Sequence, residues 1–269
     1  DLGVGGYTLT AGGNNTSTNA LGAIFGSGNL WKQGTGTMIV GSINNTYNGN
    51  TIVTGGTLSI ASDASLGNGA VILASPDATL AIIGNTTIDN AIAITDTATI
   101  NVSANATISG IINGDNLIKA GTAKLTLSGN NTYTGTTSVS AGTLSIGAST
   151  ALGNGNILLA SGTTLEATGV TDITNNIVLN GNATLSNSAN VTVSGNISGN
   201  FNLTKSGNLT LTLSGTNTYA GTIVSAGALS IASDSNLGSG TVSLANTATL
   251  SITGNTTIDN AITLTGNAT

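Results

Sequence analysis

The chain repeats itself at an interval of about 85 residues, and this repeat restricts its possible folds more than any other feature. Tyr47, Tyr133 and Tyr219 are spaced by 86 residues, twice over. The stretch GGTLSIASDASLGNGAVILA at 55–74 recurs in related form at 141–160 and 226–245. Repetition at a fixed period is typical of chains whose units stack on their neighbours.

A shorter period of about 20 residues lies within each copy. Leu144, Leu165 and Leu185 are spaced by 21 and 20 residues, and apolar residues around them alternate with Thr, Ser or Asn. Such alternation indicates strands with one buried face, and the Gly and Asn between them suit turns. An antiparallel β-sandwich would not produce a 20-residue period, and a β-propeller uses about 40–50 residues for each blade. The pattern therefore predicts an all-β fold, a single-stranded parallel β-helix or β-solenoid.

The predicted solenoid has about 20 residues per rung and four rungs per 85-residue repeat. Strand pairing stacks successive rungs at ~4.8 Å. We expect one continuous solenoid over 1–269. Its sequence repeats lie at approximately 1–84, 85–169 and 170–254, with 255–269 starting the next.

The tyrosines lie in three related hexapeptides, NNTYNG, NNTYTG and TNTYAG. We interpret each as a structural corner in which the ring packs on its own turn and the Asn serves a turn or an Asn ladder. The alternative is a regularly spaced aromatic that binds a ligand.

The charge pattern excludes several classes of protein. Only 5 % of residues are charged, the net charge is −6, and the four lysines are scattered. Without a basic patch we expect no binding of nucleic acid. No apolar run reaches the length of a transmembrane helix, so no transmembrane segment is predicted. The start lacks the pattern of a signal peptide, which is expected for a mature or internal piece.

Catalytic groups are not indicated. The chain has no histidine and no cysteine, which excludes Ser-His and Cys-His nucleophiles. Asp89 and Asp259 occupy equivalent repeat positions, as do Asp63 and Asp234. An active site occurs once, so these acids are interpreted as solvated corner residues rather than a catalytic cluster. We predict no catalytic residue, no cofactor and no metal site, since the calcium-binding G-G-x-G-x-D series is missing.

One stretch carries a family resemblance. NLIKAGTAKLTLSGNNTYTGTTSVSAGTLSIG at 116–147 resembles the passenger-associated transport repeat of autotransporter proteins, as do 29–61 and 202–232. The first copy has an extra residue before Asn45, where we expect a bulge or looser turn. The structural motif residues that the resemblance selects are Asn45, Tyr47, Gly49, Lys119, Gly129, Asn131, Tyr133, Gly135, Gly142, Lys205, Gly215, Asn217, Tyr219 and Gly221.

The resemblance implies a right-handed β-helical passenger, extracellular or on the outer-membrane surface of a Gram-negative bacterium. The expected function is that of a non-enzymatic structural segment, a rigid stalk or fibre of an adhesin. Alternatives are a module whose solenoid face binds cells, glycans or ice, and a carbohydrate-active enzyme. Expected partners are further copies of the repeat, in the same chain or in end-to-end subunits, and a host or neighbouring cell surface.

Overall fold

The structure is a computed structural model that describes residues 2–3, 9–11, 13, 19–21, 23–41 and 44–269. The chain groups into two compact units, residues 1–137 and 138–269, and each is described by itself. The prediction of one continuous solenoid stays a prediction. The looser turn expected before Asn45 falls on residues 42 and 43, which lie outside the described residues.

The first unit is built from short parallel strands. They are β1 Leu2–Gly3, β2 Leu9–Ala11, β3 Asn19–Leu21, β4 Ile24–Gly26, β5 Leu30–Lys32, β6 Thr37–Val40, β7 Thr46–Tyr47, β8 Thr51–Val53, β9 Thr57–Ile60, β10 Val71–Leu73, β11 Thr79–Ile82, β12 Thr86–Ile88, β13 Ile92–Val102, β14 Ala106–Ile108, β15 Ile112–Ala120 and β16 Lys124–Leu127. One run of paired strands is β2-β5-β8-β10-β13-β15, a second is β3-β6-β9-β11-β13, and a third is β12-β14-β16. The next strand, β17 Thr137–Val139, contains the division between the units.

The second unit repeats this construction. Its strands are β18 Thr143–Ile146, β19 Ile157–Leu159, β20 Thr164–Ala167, β21 Asp172–Ile173, β22 Ile177–Leu179, β23 Ala183–Asn187, β24 Val191–Val193, β25 Ile197–Ser198, β26 Asn202–Ser206, β27 Thr210–Leu213, β28 Gly221–Val224, β29 Ala228–Ile231, β30 Val242–Leu244, β31 Thr249–Ile252 and β32 Ile262–Leu264. Three runs of paired strands form its faces: β19-β22-β25, β18-β20-β23-β26-β28-β30-β32 and β21-β24-β27-β29-β31.

The register confirms a parallel β-solenoid. Val71 pairs with Ile92, and Ile92 pairs in turn with Ile112. In the second unit Leu165 pairs with Leu185. Each strand therefore pairs with the strand one turn further along the chain, as the stacking of successive turns requires. The right-handed sense implied by the family resemblance stays a prediction.

Alternation along each strand fills the interior with aliphatic side chains. In β11, Leu80 and Ile82 are buried, whereas Thr79 and Ala81 are partly exposed on the other face. Because side-chain direction has a period of two, the paired strands place their aliphatic residues in columns. Full burial of one Leu or Ile side chain stabilises the fold by about 1.5–3 kcal/mol.

Helical structure within the described ranges is limited to two single 3₁₀ turns, Asp63–Ser65 and Asp234–Asn236. They occupy equivalent positions of the first and third repeats. Across those same ranges no helix has the length and apolar character needed to cross a membrane.

The aliphatic columns yield a direct test. Leu165, in β20, is 1 % exposed, and we expect Leu165→Ala to lower the free energy of unfolding by about 2–5 kcal/mol because it leaves a cavity. Its partly exposed neighbour Thr164 is the matched control, for which Thr164→Ala should change stability by no more than about 0.5 kcal/mol. Urea unfolding followed by circular dichroism measures both. Equal effects at the two positions would contradict the inward direction of Leu165.

Candidate functional site

Three of the four lysines lie inside the solenoid. Lys32, Lys119 and Lys205 are 1 %, 0 % and 0 % exposed. The four lysines are scattered along the sequence, but these three are spaced by 87 and 86 residues and occupy one repeated position. A buried ammonium group costs several kcal/mol unless hydrogen-bond acceptors surround it.

Backbone carbonyl oxygens supply those acceptors. The Nζ of Lys32 donates to the carbonyls of Gln33, Gly34 and Gly55, each at 2.8 Å. The Nζ of Lys119 donates to Gly121 at 2.6 Å and to Ala123 at 2.7 Å. The Nζ of Lys205 donates to Ser206 at 2.9 Å and to Gly207 at 2.5 Å. Each lysine therefore joins the carbonyls of a corner that the neighbouring glycine shapes.

Left-handed backbone makes this corner possible. Gly34, Gly121 and Gly207 have φ of 72°, 79° and 85°, a conformation that glycine adopts without steric cost. Burial lowers the pKa of Lys119 and of Lys205 to about 8, and it lowers the pKa of Lys32 as well. Lys119 and Lys205 therefore remain mainly protonated at neutral pH.

The tyrosines of the hexapeptides are also completely buried. The hydroxyl of Tyr133 bonds the hydroxyl of Thr137 at 2.6 Å, and that of Tyr219 bonds Thr222 at 2.8 Å. Tyr47 makes the same contact with Thr51. Burial raises the pKa of Tyr47 and of Tyr219. Each tyrosine hydroxyl thus bonds a threonine three or four residues further along the chain, and a ring without exposed surface cannot hold a surface ligand.

Glycines of the following rung lie against these rings. A Cβ added to Gly67 would meet Cδ2 and Cε2 of Tyr47 at 2.6 Å. A Cβ added to Gly238 would meet Cδ2 of Tyr219 at 2.6 Å. Residue 67 and residue 238 therefore have to lack a side chain, because the aromatic ring takes the space.

The asparagine two positions before each tyrosine clamps adjacent turns. The Oδ1 atoms of Asn45, Asn131 and Asn217 accept the backbone N–H of Ile24, Ile112 and Ile197, at 2.8, 2.7 and 2.7 Å. The Nδ2 of Asn45 donates to the Ser65 carbonyl at 2.6 Å, and that of Asn217 donates to the Asn236 carbonyl at 2.5 Å. Asn45 and Asn217 thus each hold one turn below and one above.

Sequence reasoning missed a second asparagine series, Asn90, Asn175 and Asn260. Each Nδ2 donates to two glycine carbonyls about one turn earlier in the chain. The acceptor pairs, at 2.7–2.8 Å, are Gly67 and Gly69, Gly153 and Gly155, and Gly238 and Gly240. The signal was present, since the three asparagines are spaced by 85 residues.

Several motif glycines lie where the backbone of an earlier turn leaves no room for a side chain. Gly49, Gly129 and Gly215 each lie against the carbonyl of an earlier glycine, where an added Cβ would collide. Gly135 faces Asp115 and Asn116, Gly221 faces Asn202, and Gly142 has a φ of 66°. Asparagine ladders are also present, since Asn176 Oδ1 accepts from Asn196 N at 3.0 Å and Asn196 Oδ1 accepts from Thr216 N at 2.8 Å.

The structure brings Asp63 next to Asp89 and Asp234 next to Asp259. The N–H of Asp89 donates to Asp63 Oδ1 at 3.3 Å, and that of Asp259 donates to Asp234 Oδ1 at 3.2 Å. Each pair is joined through a backbone N–H rather than between its two carboxyl groups, and the two pairs occupy equivalent positions of the first and third repeats. Burial is the main cause that raises the pKa of the Asp63 carboxyl. The backbone hydrogen bond from Asp89 opposes this rise, and the charge of Asp89 adds to it.

Both pairs border open polar grooves. The groove at Asp63 and Asp89 has a volume of about 660 Å³, and the groove at Asp234 and Asp259 about 360 Å³. Among the residues that the structure describes, no three His, Cys, Asp or Glu side chains gather as metal ligands would.

Comparison with known proteins identifies the class of the repeat. The family model of the passenger-associated transport repeat matches residues 30–60, 117–146 and 203–231, the segments that hold the buried lysines, asparagines and tyrosines. The adhesin BmaC autotransporter of Brucella suis biovar 1 (strain 1330) is 36 % identical over 136 residues, 49 % of this chain. The chain spans 4 % of the length of that relative. No solved structure matches.

These matches confirm the resemblance drawn from the motif residues. The chain is a β-solenoid that contains three passenger-associated transport repeats, and it is similar over about half of its length to an autotransporter adhesin. These two matches indicate an extracellular or outer-membrane surface location in a Gram-negative bacterium.

The buried tyrosine pair supports a double-mutant cycle. Tyr219→Phe should lower the free energy of unfolding by about 1–3 kcal/mol, because it leaves the buried Thr222 hydroxyl without this partner. Adding Thr222→Val should recover most of the loss, since both polar groups are then gone. Urea unfolding of the four proteins measures the coupling. Strictly additive losses would contradict the bond.

Stability should also depend on alkaline pH. Between pH 8 and about 10, Lys119 and Lys205 lose their protons in the folded chain while the unfolded chain keeps them, so stability rises with pH. Above pH 10 the raised pKa values of Tyr47 and Tyr219 reverse the trend, because the unfolded tyrosines ionise first. We expect the urea midpoint to be highest near pH 10. The Lys119→Met, Lys205→Met double variant is the control and should lose most of the rise.

Proposed function

We propose that this segment is a non-enzymatic structural part of a surface adhesin, a stiff stalk that holds other parts of the passenger away from the cell. The matched relative is named an adhesin autotransporter, which supports a role in adhesion for the parent protein. A solenoid in which each turn contacts its neighbours suits the task of spanning a distance.

One observation carries this proposal: the repeated polar side chains point into the fold. Lys205 donates to backbone carbonyls, Tyr219 bonds Thr222, and Asn217 bonds backbone groups of two turns. These side chains hold the solenoid together and present no polar atom to a ligand outside.

A binding module is the second candidate, and the outer face supplies its support. Thr164, Thr184 and Thr204 pair in register on successive strands and are partly exposed. Their hydroxyl groups form a row with the strand spacing of about 4.8 Å. A glycan or cell surface could be recognised along such a row.

Deletion of one repeat tests the stalk against the binding module. Deletion of residues 117–202 joins Asn116 to Leu203 and places Lys205 in the position of Lys119. In the full-length passenger we expect this variant to be displayed on the cell normally and to be shorter by about 19 Å, four strand spacings. Adhesion should be retained, since the adhesive contact lies elsewhere. Flow cytometry of displayed protein and a cell-attachment assay measure both.

Two further proteins make this test decisive. A deletion of 117–192, which ends out of phase with the repeat, is the matched control and should fail to fold. The purified segment 1–269, labelled with a fluorophore, should not coat host cells. Coating of cells by this segment, or its competition with the full-length passenger, would overturn the stalk and favour the binding module.

A further inference from the structure

Neighbouring rungs present nearly the same apolar face. In the second unit Leu211, Leu229 and Leu250 stack in one column. Leu213, Ile231 and Ile252 stack in another. A chain that looped out the middle rung could stack the outer two with almost the same contacts. Aliphatic packing therefore does not decide which rung lies on which.

The lysine corner, formed by Lys205 and Gly207, in contrast fits only one neighbouring rung. Gly207 and Gly227 both have positive φ, 85° and 66°, and they belong to successive rungs. A Cβ added to Gly227 would lie 2.6 Å from the Gly207 carbonyl oxygen, the same oxygen that accepts from Lys205 Nζ. On the next rung the corresponding residue is Ala248, because Ala228 pairs with Thr249. With the middle rung looped out, a methyl group would take the place that only glycine fits.

The first repeat has the same arrangement and a direct bond across it. Gly56, with φ of 63°, lies over Gly34, and its added Cβ would be 2.6 Å from the Gly34 carbonyl oxygen. The Nζ of Lys32 donates to the carbonyls of both corners, through Gly34 and Gly55, at 2.8 Å each. The ammonium group thus ties one glycine corner to the next.

We propose that the buried lysine and its two stacked glycine corners form a register key, present once per repeat, that sets which rung stacks on which during folding. In the first repeat a displaced rung would take the Gly55 carbonyl away from Lys32. In the third repeat it would force the Ala248 methyl group against the Gly207 carbonyl that Lys205 holds in place. A single buried polar group is known to specify register at a cost in stability. This inference goes beyond the proposed stalk and does not depend on it, since it concerns the order of the rungs.

Engineered cysteines can report the register, because the chain contains none of its own. Thr204, Ile223 and Ser243 face outward on β26, β28 and β30, and each pairs with the next. Cysteines at 204 and 243 lie two strand spacings apart, about 9–10 Å, which is too far for a disulfide. They come within reach only when the rung between them is looped out. Cysteines at 204 and 223 report the native register.

The test is refolding of the whole segment with oxidised glutathione, followed by quantification of each disulfide by mass spectrometry. With Lys205 intact, the 204–223 pair should close and the 204–243 pair should stay reduced. Lys205→Met should raise the 204–243 disulfide at least about tenfold, because the Gly207 carbonyl, no longer held by the ammonium group, can turn away from the methyl group of a displaced rung.

Loss of stability alone has to be separated from loss of register. Leu203→Ala removes a fully buried side chain from the same strand and leaves the lysine corner intact, so it is the matched control. It should destabilise the segment without raising the 204–243 disulfide. An equal rise in Lys205→Met and Leu203→Ala, or no rise in Lys205→Met, would overturn the register key.

Gly227→Ala keeps the test decisive where Lys205→Met yields no folded monomer. It retains the lysine and adds one methyl group between the corners, at the position where the Gly207 oxygen lies 2.6 Å from the new Cβ. The register key requires the 204–243 disulfide to rise here as well. Native cross-linking alone in this variant would overturn it.

Discussion

Parallel hydrogen bonding between each turn and the next is the constraint on which the rest of this structure depends. Leu80 pairs with Leu58 on one side and with Ile100 on the other, so equivalent residues form a column. A side chain in such a column contacts its own kind above and below. Aliphatic residues meet this condition easily. Polar residues meet it only where the backbone of an adjacent turn offers a matching group.

The buried lysines show how far that condition reaches. A chain with four lysines places three of them inside, although charged side chains are rarely buried without a partner. No carboxylate accepts from Lys32, Lys119 or Lys205 in the hydrogen bonds described above; glycine corners turn backbone carbonyls inward instead. The charge, the left-handed backbone and the missing side chains of the corner therefore require one another. The buried asparagines meet the same condition with a neutral side-chain amide, which bonds backbone groups of adjacent turns.

The transport repeats place most of their recurring polar contacts inside the fold. The polar groups that recur with the repeat lie inside, and the outer faces of the strands carry mainly Thr, Ser and Asn. A segment of this composition gains cohesion from its backbone and its buried clamps rather than from surface ion pairs. The acid pairs at Asp63 and Asp89 and at Asp234 and Asp259 are the exception, since they lie in open grooves.

The sequence by itself determined the solenoid, because the 20-residue period, the strand alternation and the three-fold transport repeat are all local or periodic signals. It also located the asparagine and tyrosine of each corner. Only the tertiary structure decided that Lys119 is buried and that Asp63 meets Asp89. Those outcomes depend on how corners about 20–26 residues apart lie on one another. The spacing of the repeat marks which positions are equivalent, but a residue's burial at a corner is set by the turn stacked on it.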